Sequence, residues 1–210
     1  KNGWTKGAEL GVWLGETFKH LVRTCHDLHL VGVDLYAPQP GYDGPEQWTA
    51  GENGHAWDHE RYYNDLVSFC GQYPDRAVII KDYTTEAAKT IDDESLDFVF
   101  IDADHSYNGV MRDVQAWAPK VRKGGMIIGH DIHFPTVKKA VIELYGEDGY
   151  FVEPDVKDRD KIWVSFDTNT YLIRHGREKT FIAREKSIEW FETYYLVIHP
   201  DNGIFKLAGI

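Results

Sequence analysis

The chain has 210 residues, 42% of them hydrophobic, and a formal net charge of −11. That length holds one well-buried domain and falls short of two comfortable ones. The acidic balance disfavours a nucleic-acid partner, whose phosphates are gripped by clustered Lys and Arg. The longest basic patches, Lys120-Val-Arg-Lys123 and Lys138-Lys139, are too short to reverse it.

Short apolar runs alternate with amphipathic segments, the pattern of an α/β protein with a parallel sheet wrapped by helices. Strands are expected at 7–12, 30–36, 77–81, 96–102 and 125–129, and helices at 16–26, 60–73, 85–90, 107–119 and 136–145. Two later strands, 150–156 and 161–166, flank the polar turn Asp158-Arg-Asp160 and are expected to form an antiparallel edge hairpin. Between 37 and 59 the chain is rich in Pro and Gly and carries Tyr42, Trp48 and Trp57. A connection that long reads as a functional lid. The tail, 167–210, contains a candidate helix at 183–195 and a strand-like end. Cys25 and Cys70 lack CxxC spacing and read as small core residues of a reducing compartment. No apolar stretch reaches membrane-spanning length and no charged-then-apolar leader is present, so cytoplasmic localisation is the default expectation.

The first strand runs into "ELGVWLG" (Glu9 to Gly15) and then a helix. Glycines at such a turn let backbone and ligand approach closely, and the helix start attracts negative groups. The spacing is G-x-x-x-G, so a pyrophosphate is not specifically implied. The second strand ends at Asp34 in "VGVDLY", where a carboxylate suits ribose hydroxyls. The third ends at Asp82 in "IIKDYT", which suits either a ligand or the cap of the next helix.

The fourth strand ends in "FIDADHSY", placing Asp102, Asp104 and His105 within four residues; the fifth ends in "IIGHD", placing His130 and Asp131. Ligands gather at the carboxyl ends of strands in doubly wound sheets. Five ionisable groups at two adjacent strand tips therefore point to a ligand rather than a core. Carboxylates with an imidazole suit a divalent cation such as magnesium or manganese. Such a cation grips a hydroxyl as a Lewis acid and lowers its pKa, leaving His105 or Asp104 as general base. The i, i+4 pair His55 and His59 has no third ligand nearby and reads as lid surface.

In this order and at these intervals, "ELGVWLGET", "VGVDLY", "FIDADHSYNGVMRDVQAW" and "RKGGMIIGHD" resemble class I S-adenosylmethionine-dependent methyltransferases. The similarity is to the small-molecule O-methyltransferase branch that includes metal-dependent sugar enzymes and, more distantly, catechol O-methyltransferase. It covers about 7–166. The resemblance implies a Rossmann-like, doubly wound, mostly parallel seven-stranded sheet with an antiparallel edge hairpin, forming a domain over 1–166. The remaining 167–210 form a C-terminal extension without a recognised role. It implies that Glu9, Gly11 and Gly15 line the methionine end of the cofactor, that Asp34 holds its ribose, and that Asp82 with Tyr83 flanks the adenine, with Asp102 also at the cofactor. Asp102, His130 and Asp131 would bind the cation, with His105 or Asp104 as base; His130 stands where relatives often carry a second acidic residue.

The implied activity is O-methylation of a small-molecule hydroxyl, on a sugar or an aromatic ring. Trp48, Trp57, Tyr62 and Tyr63 suit stacking on either. The aromatic tail (Trp190, Phe191, Tyr194, Tyr195) is compatible with a homodimer contact. A metal-dependent hydrolase would account for the Asp/His cluster but leave the glycine turn and Asp34 without a role. A non-catalytic Rossmann-like module would need neither base nor metal.

Overall fold

The computed structural model describes residues 4–38, 57–132 and 134–145 in full, and the backbone alone of 151–152, 171–174, 195–198 and 205–208. Strands β1 (Lys6–Leu10), β2 (His29–Asp34), β3 (Ala77–Lys81), β4 (Leu96–Ile101) and β5 (Val121–Gly129) lie in one sheet in the order β3-β2-β1-β4-β5 and are all parallel. Helices α1 (Glu16–Thr24), α2 (His59–Cys70), α3 (Thr84–Ala88), α4 (Tyr107–Trp117) and α5 (Pro135–Tyr145) supply the crossovers and cover the faces.

The expected seven-stranded, mostly parallel sheet with an antiparallel edge is present, five of its strands being parallel, but the expected edge hairpin of 150–156 and 161–166 is corrected in its residues. Two short strands drawn partly from other residues extend the β5 edge. They are β6 (Phe151–Val152) and β7 (Tyr171–Arg174); β7 runs antiparallel to β5, and β6 antiparallel to β7. The segment 161–166 lies outside the described residues, and the strand beside β5 begins beyond the expected domain boundary at Phe166. In the tail, Tyr195, expected to end a helix, instead opens β8 (Tyr195–Ile198), which pairs with β9 (Phe205–Ala208). The rest of that candidate helix, and with it Trp190, Phe191 and Tyr194, lies outside the described residues, as do Trp48 and His55.

Alternation along the strands accounts for the two-faced core. In β4 all six residues are buried, as expected where helices cover both faces. Leu96, Val99 and Ile101 point with Ala8, Leu10 and Ile127 toward the cluster that holds Val110, Val114 and Trp117 of α4. Phe98 and Phe100 point the other way, with Met126 and Ile128, toward Phe18, Leu21 and Val22 of α1 and Leu66 and Phe69 of α2. Each such side chain removed from water stabilises the fold by about 1.5–3 kcal/mol. Helix α2 starts one residue before its expected position because Asp58 accepts the Arg61 backbone N–H at 3.1 Å and caps it. Among the described residues no helix is long and apolar enough to cross a membrane.

One polar group sits inside the base of β4. Asp97 is buried, yet its carboxylate accepts the backbone N–H groups of Thr5 (2.7 Å) and Lys6 (2.9 Å) and the Arg122 Nε–H at 2.7 Å. It thereby ties the entrance of β1 and the start of β5 to β4. The basic patch at Lys120–Lys123 is used partly for this purpose, and Lys120 pairs with Asp93 at 2.6 Å. Replacing Asp97 with Ala strands three donors, and a loss of about 2–4 kcal/mol of unfolding free energy is expected. Urea denaturation checks this, and a loss below about 0.5 kcal/mol, the size of an ordinary surface substitution, would deny Asp97 that role.

Candidate active site

The carboxyl ends of all five parallel strands open into one cavity of about 590 Å³. The strand ladders continue one bond past the strands here. The Gly11 N–H donates to Val33 O (2.9 Å), Asp102 N–H to Leu10 O (2.8 Å), His130 N–H to Ile101 O (3.0 Å) and Asp82 N–H to Asp34 O (3.2 Å). Neighbouring tips are therefore held in register, and the residues after them line the cavity.

On the β1–β2 side, Glu9 is 3% exposed and its Oε2 has no hydrogen-bond partner. Burial first, then the charges of Asp102 and Asp34, hold its carboxyl well above the usual carboxylate range. Gly11 has φ +81°, and a Cβ on it would stand 2.0 Å from the Asp102 carbonyl oxygen. No other residue fits there. Gly15, φ +73°, is the left-handed residue from which α1 starts. Asp34 accepts the Trp13 N–H through Oδ2 and the Tyr36 N–H through Oδ1, both at 2.8 Å; the Tyr36 hydroxyl returns to the Trp13 carbonyl at 3.2 Å. Trp13 and Tyr36 both have positive φ (49° and 45°), so this carboxylate holds two strained loops in place. Each oxygen keeps a lone pair for a further donor.

On the β3 side, Asp82 and Tyr83 are exposed and border the cavity. Asp82 does not cap α3: its Oδ1 accepts the Tyr83 N–H at 2.7 Å, and Tyr83 is the capping residue. On the aromatic rim, Trp13 meets Trp57 edge to face at 5.1 Å, and Trp57 meets Tyr62 at 6.5 Å. Tyr63 stands against Tyr36 at 5.5 Å, with the Lys81 ammonium 4.9 Å from its ring. His59 is the first residue of α2 and lines the cavity.

On the β4–β5 side four ionisable groups converge. His105 Nε2 lies 2.7 Å from Asp131 Oδ2 and 3.3 Å from Asp102 Oδ1; His130 Nδ1 lies 3.3 Å and 3.6 Å from the same two oxygens. Burial, the largest influence on His105, lowers its pKa, but the hydrogen bonds and charges of Asp102 and Asp131 outweigh it and raise the imidazole to about 9. Asp131 is desolvated too, and the two histidines nonetheless hold its carboxyl far below the usual range. Asp102, His105 and Asp131 each present one donor atom within 4.8 Å of the others, a set that fits a hard divalent cation. This trio differs from the expected Asp102, His130 and Asp131 by exchange of one imidazole. Asp104 sits apart: it accepts the Ser106 N–H at 2.8 Å and pairs with Arg112 at 3.3 Å, fixing the turn into α4.

Sequence reasoning missed Trp13, Thr84, Arg112 and Asp113, all of which line the cavity. For Asp113 a signal was present. Val110, Asp113, Val114 and Trp117 are spaced i, i+3, i+4, i+7 on one helical face, and a lone carboxylate among core residues stands out.

A family described as Methyltransferase domain matches residues 8–132, which spans β1 to just past β5. The chain belongs to this methyltransferase-domain family. Its fold is shared by CalS11, a calicheamicin methyltransferase, with a TM-score of 0.54 and 16% identity over 82% of this chain and 73% of that one. The O-methyltransferase NovP gives a TM-score of 0.52 and 18% identity over 82% and 72%. Among curated proteins, the uncharacterized protein y4gI of Sinorhizobium fredii (strain NBRC 101917 / NGR234) is 27% identical over 86 residues, 41% of this chain. The match spans only 9% of that relative's length.

Asp113 also gives the site a pH signature. Burial pushes its carboxyl up to about 7, with Asp104 adding to the shift and the Thr84 hydroxyl and Arg112 opposing it. A carboxyl raised in the folded state contributes stability in full below the unfolded value near 4, and loses it as pH rises through about 7. Asp113→Asn is therefore expected to gain stability over the parent between pH 5 and pH 8.5, by on the order of 2–4 kcal/mol. Thermal melts at the two pH values measure this; a stability difference that does not change with pH would contradict it.

Proposed function

We propose that the chain transfers a methyl group from S-adenosylmethionine to a hydroxyl oxygen of a small molecule, a sugar or an aromatic compound, with assistance from magnesium or manganese. One observation carries this reading. A single cavity joins Glu9, Gly11 and Asp34 to the Asp102–His105–Asp131 cluster one strand away. A hydrolase would use the cluster and leave the other half idle.

The residues fit the cofactor on structural grounds. A buried, unpaired Glu9 oxygen calls for a donor, the bare Gly11 backbone permits close approach, and Asp34 retains acceptor capacity for ribose hydroxyls. Bound S-adenosylmethionine supplies an electrophilic methyl group on a sulfonium. A bound cation supplies Lewis-acid polarisation of the acceptor hydroxyl. Asp102, His105 and Asp131 are the donors we assign to the cation. His130, beside the same two carboxylates, is the imidazole we assign to take the acceptor proton. This exchanges the roles expected from sequence, and Asp104, engaged by Ser106 and Arg112, is assigned to shaping the loop. Trp13 and Trp57, the latter packed on Tyr62, form the wall against which an acceptor ring would be oriented, and orientation lowers barriers by about 7–11 kcal/mol in favourable cases. A solved neighbour described as a TDP-rhamnose 3'-O-methyltransferase shares the fold (TM-score 0.52, 14% identity), in keeping with a sugar acceptor. The catalytic unit is proposed to include Tyr171–Arg174, which pairs with β5.

Two measurements test this reading. Calorimetric titration with S-adenosylmethionine is expected to give a dissociation constant on the order of micromolar, and absence of binding would end the proposal. Manganese titrated against the protein is expected to bind about 10–100-fold more weakly to Asp102→Asn and to His105→Ala than to the parent. His130→Ala should retain the ion and lose turnover on an acceptor panel of nucleotide sugars and catechols. If His130→Ala loses the ion while His105→Ala keeps it, the sequence-based roles stand and ours fall.

A further inference from the structure

Helix α4 turns an acid inward against the start of α3. Asp113 is 3% exposed, and its Oδ1 accepts the hydroxyl of Thr84, the first residue of α3. One turn on, Trp117 Nε1–H donates to the Thr84 carbonyl at 3.0 Å. Thr84 is therefore held from both ends by one helix, directly after Asp82 and Tyr83. The second carboxylate oxygen, Oδ2, is buried and has no hydrogen-bond partner, and both Asp113 and Thr84 line the cavity. A buried acceptor left unpaired costs about 1–3 kcal/mol, more when charged. Nothing in the packing of α3 on α4 requires an acid here, since an Asn would accept the Thr84 hydroxyl equally well.

The missing donor can be identified by elimination, taking the cofactor reading above as given. S-adenosylmethionine carries three kinds of hydrogen-bond donor: an ammonium, the ribose hydroxyls and the exocyclic amine of adenine. Glu9 and Asp34, on β1 and β2, match the first two. Asp113 holds Thr84, directly after Asp82 and Tyr83 at the tip of β3, one strand beyond Asp34, and the donor left for it is the adenine amine. We propose that Asp113 is a specificity-determining residue for the base, its Oδ2 accepting the adenine amine while Thr84 fixes Oδ1.

The test is calorimetry at pH 8.5 with S-adenosylhomocysteine and with S-inosylhomocysteine, in which a carbonyl oxygen replaces the amine. The parent protein is expected to prefer the adenine compound by at least about tenfold, the value of one charge-assisted hydrogen bond. Asp113→Asn presents an amide NH2 that can face the inosine oxygen, so the preference should fall to within about threefold of unity. A parent that binds both compounds with equal affinity overturns the assignment without recourse to any variant. So does an Asp113→Asn protein that melts cooperatively and keeps the parental preference. A parent that binds neither compound refutes the cofactor reading itself, and this one with it.

Discussion

The contact on which the site depends is between the backbones of β1 and β4 where the two strands end. The Asp102 N–H donates to Leu10 O at 2.8 Å, and the Asp102 carbonyl lies where a side chain on residue 11 would begin. Because Gly11 has none, the chain leaves β1 at φ +81° and crosses the tip of β4 at van der Waals distance. That approach puts the β1 loop, which carries Trp13 and Gly15, beside the β4 loop, which carries Asp102 and His105. A side chain there would collide with the backbone of Asp102 and Ala103 and force the two loops to shift.

With that contact made, carboxylates accumulate faster than cations can neutralise them. Glu9, Asp34, Asp102, Asp113 and Asp131 all face one cavity. Their fates diverge with their partners. Asp131 is held ionised by two imidazoles, and Asp34 is satisfied by two backbone N–H groups. Glu9 and Asp113 each keep an oxygen with no donor, and burial drives the carboxyls of both upward. Low dielectric makes an unpaired carboxyl costly and strongly attractive to a donor that fits. Both positions line the same cavity, so a ligand with donors for both would offset that cost.

The strands and the positions of the tip residues were legible because an apolar run that breaks into glycine and acid fits the end of a buried parallel strand and little else. "FIDADHSY" and "IIGHD" were rightly read as adjacent, since a right-handed crossover in a parallel sheet brings β4 and β5 together. That both His105 and His130 reach Asp102 and Asp131 was not legible. His130 directly follows β5 whereas His105 lies four residues past β4, and their convergence depends on backbone turns, including φ +57° at Asp131, that spacing does not encode. Asp113 stood out by its place on an apolar helical face, but nothing in the spacing showed that it reaches the cavity. Its importance rests on Thr84, 29 residues away in sequence, and on the second oxygen having nothing to bind. The edge of the sheet was misjudged because 150–156 and 161–166 look like a local hairpin, whereas the strand that pairs with β5 is Tyr171–Arg174.

The sign of the charge in the cavity also bears on which acceptors can enter. Under the proposed function S-adenosylmethionine would bring a sulfonium and an ammonium against one carboxylate, and a divalent cation two more positive charges, so both would be drawn to a cavity lined by eight acidic residues. On that reading they would reverse the local field near Asp102 and Asp131, where the acceptor hydroxyl is proposed to lose a proton. Before that reversal an anionic acceptor would be repelled, and afterward an oxygen developing negative charge would be stabilised. The proposed function would therefore have an order of filling: positive groups first, the hydroxyl last. Aromatic rings line part of the cavity at Trp13 and Trp57, and an acceptor stacked there would gain orientation without adding to the field.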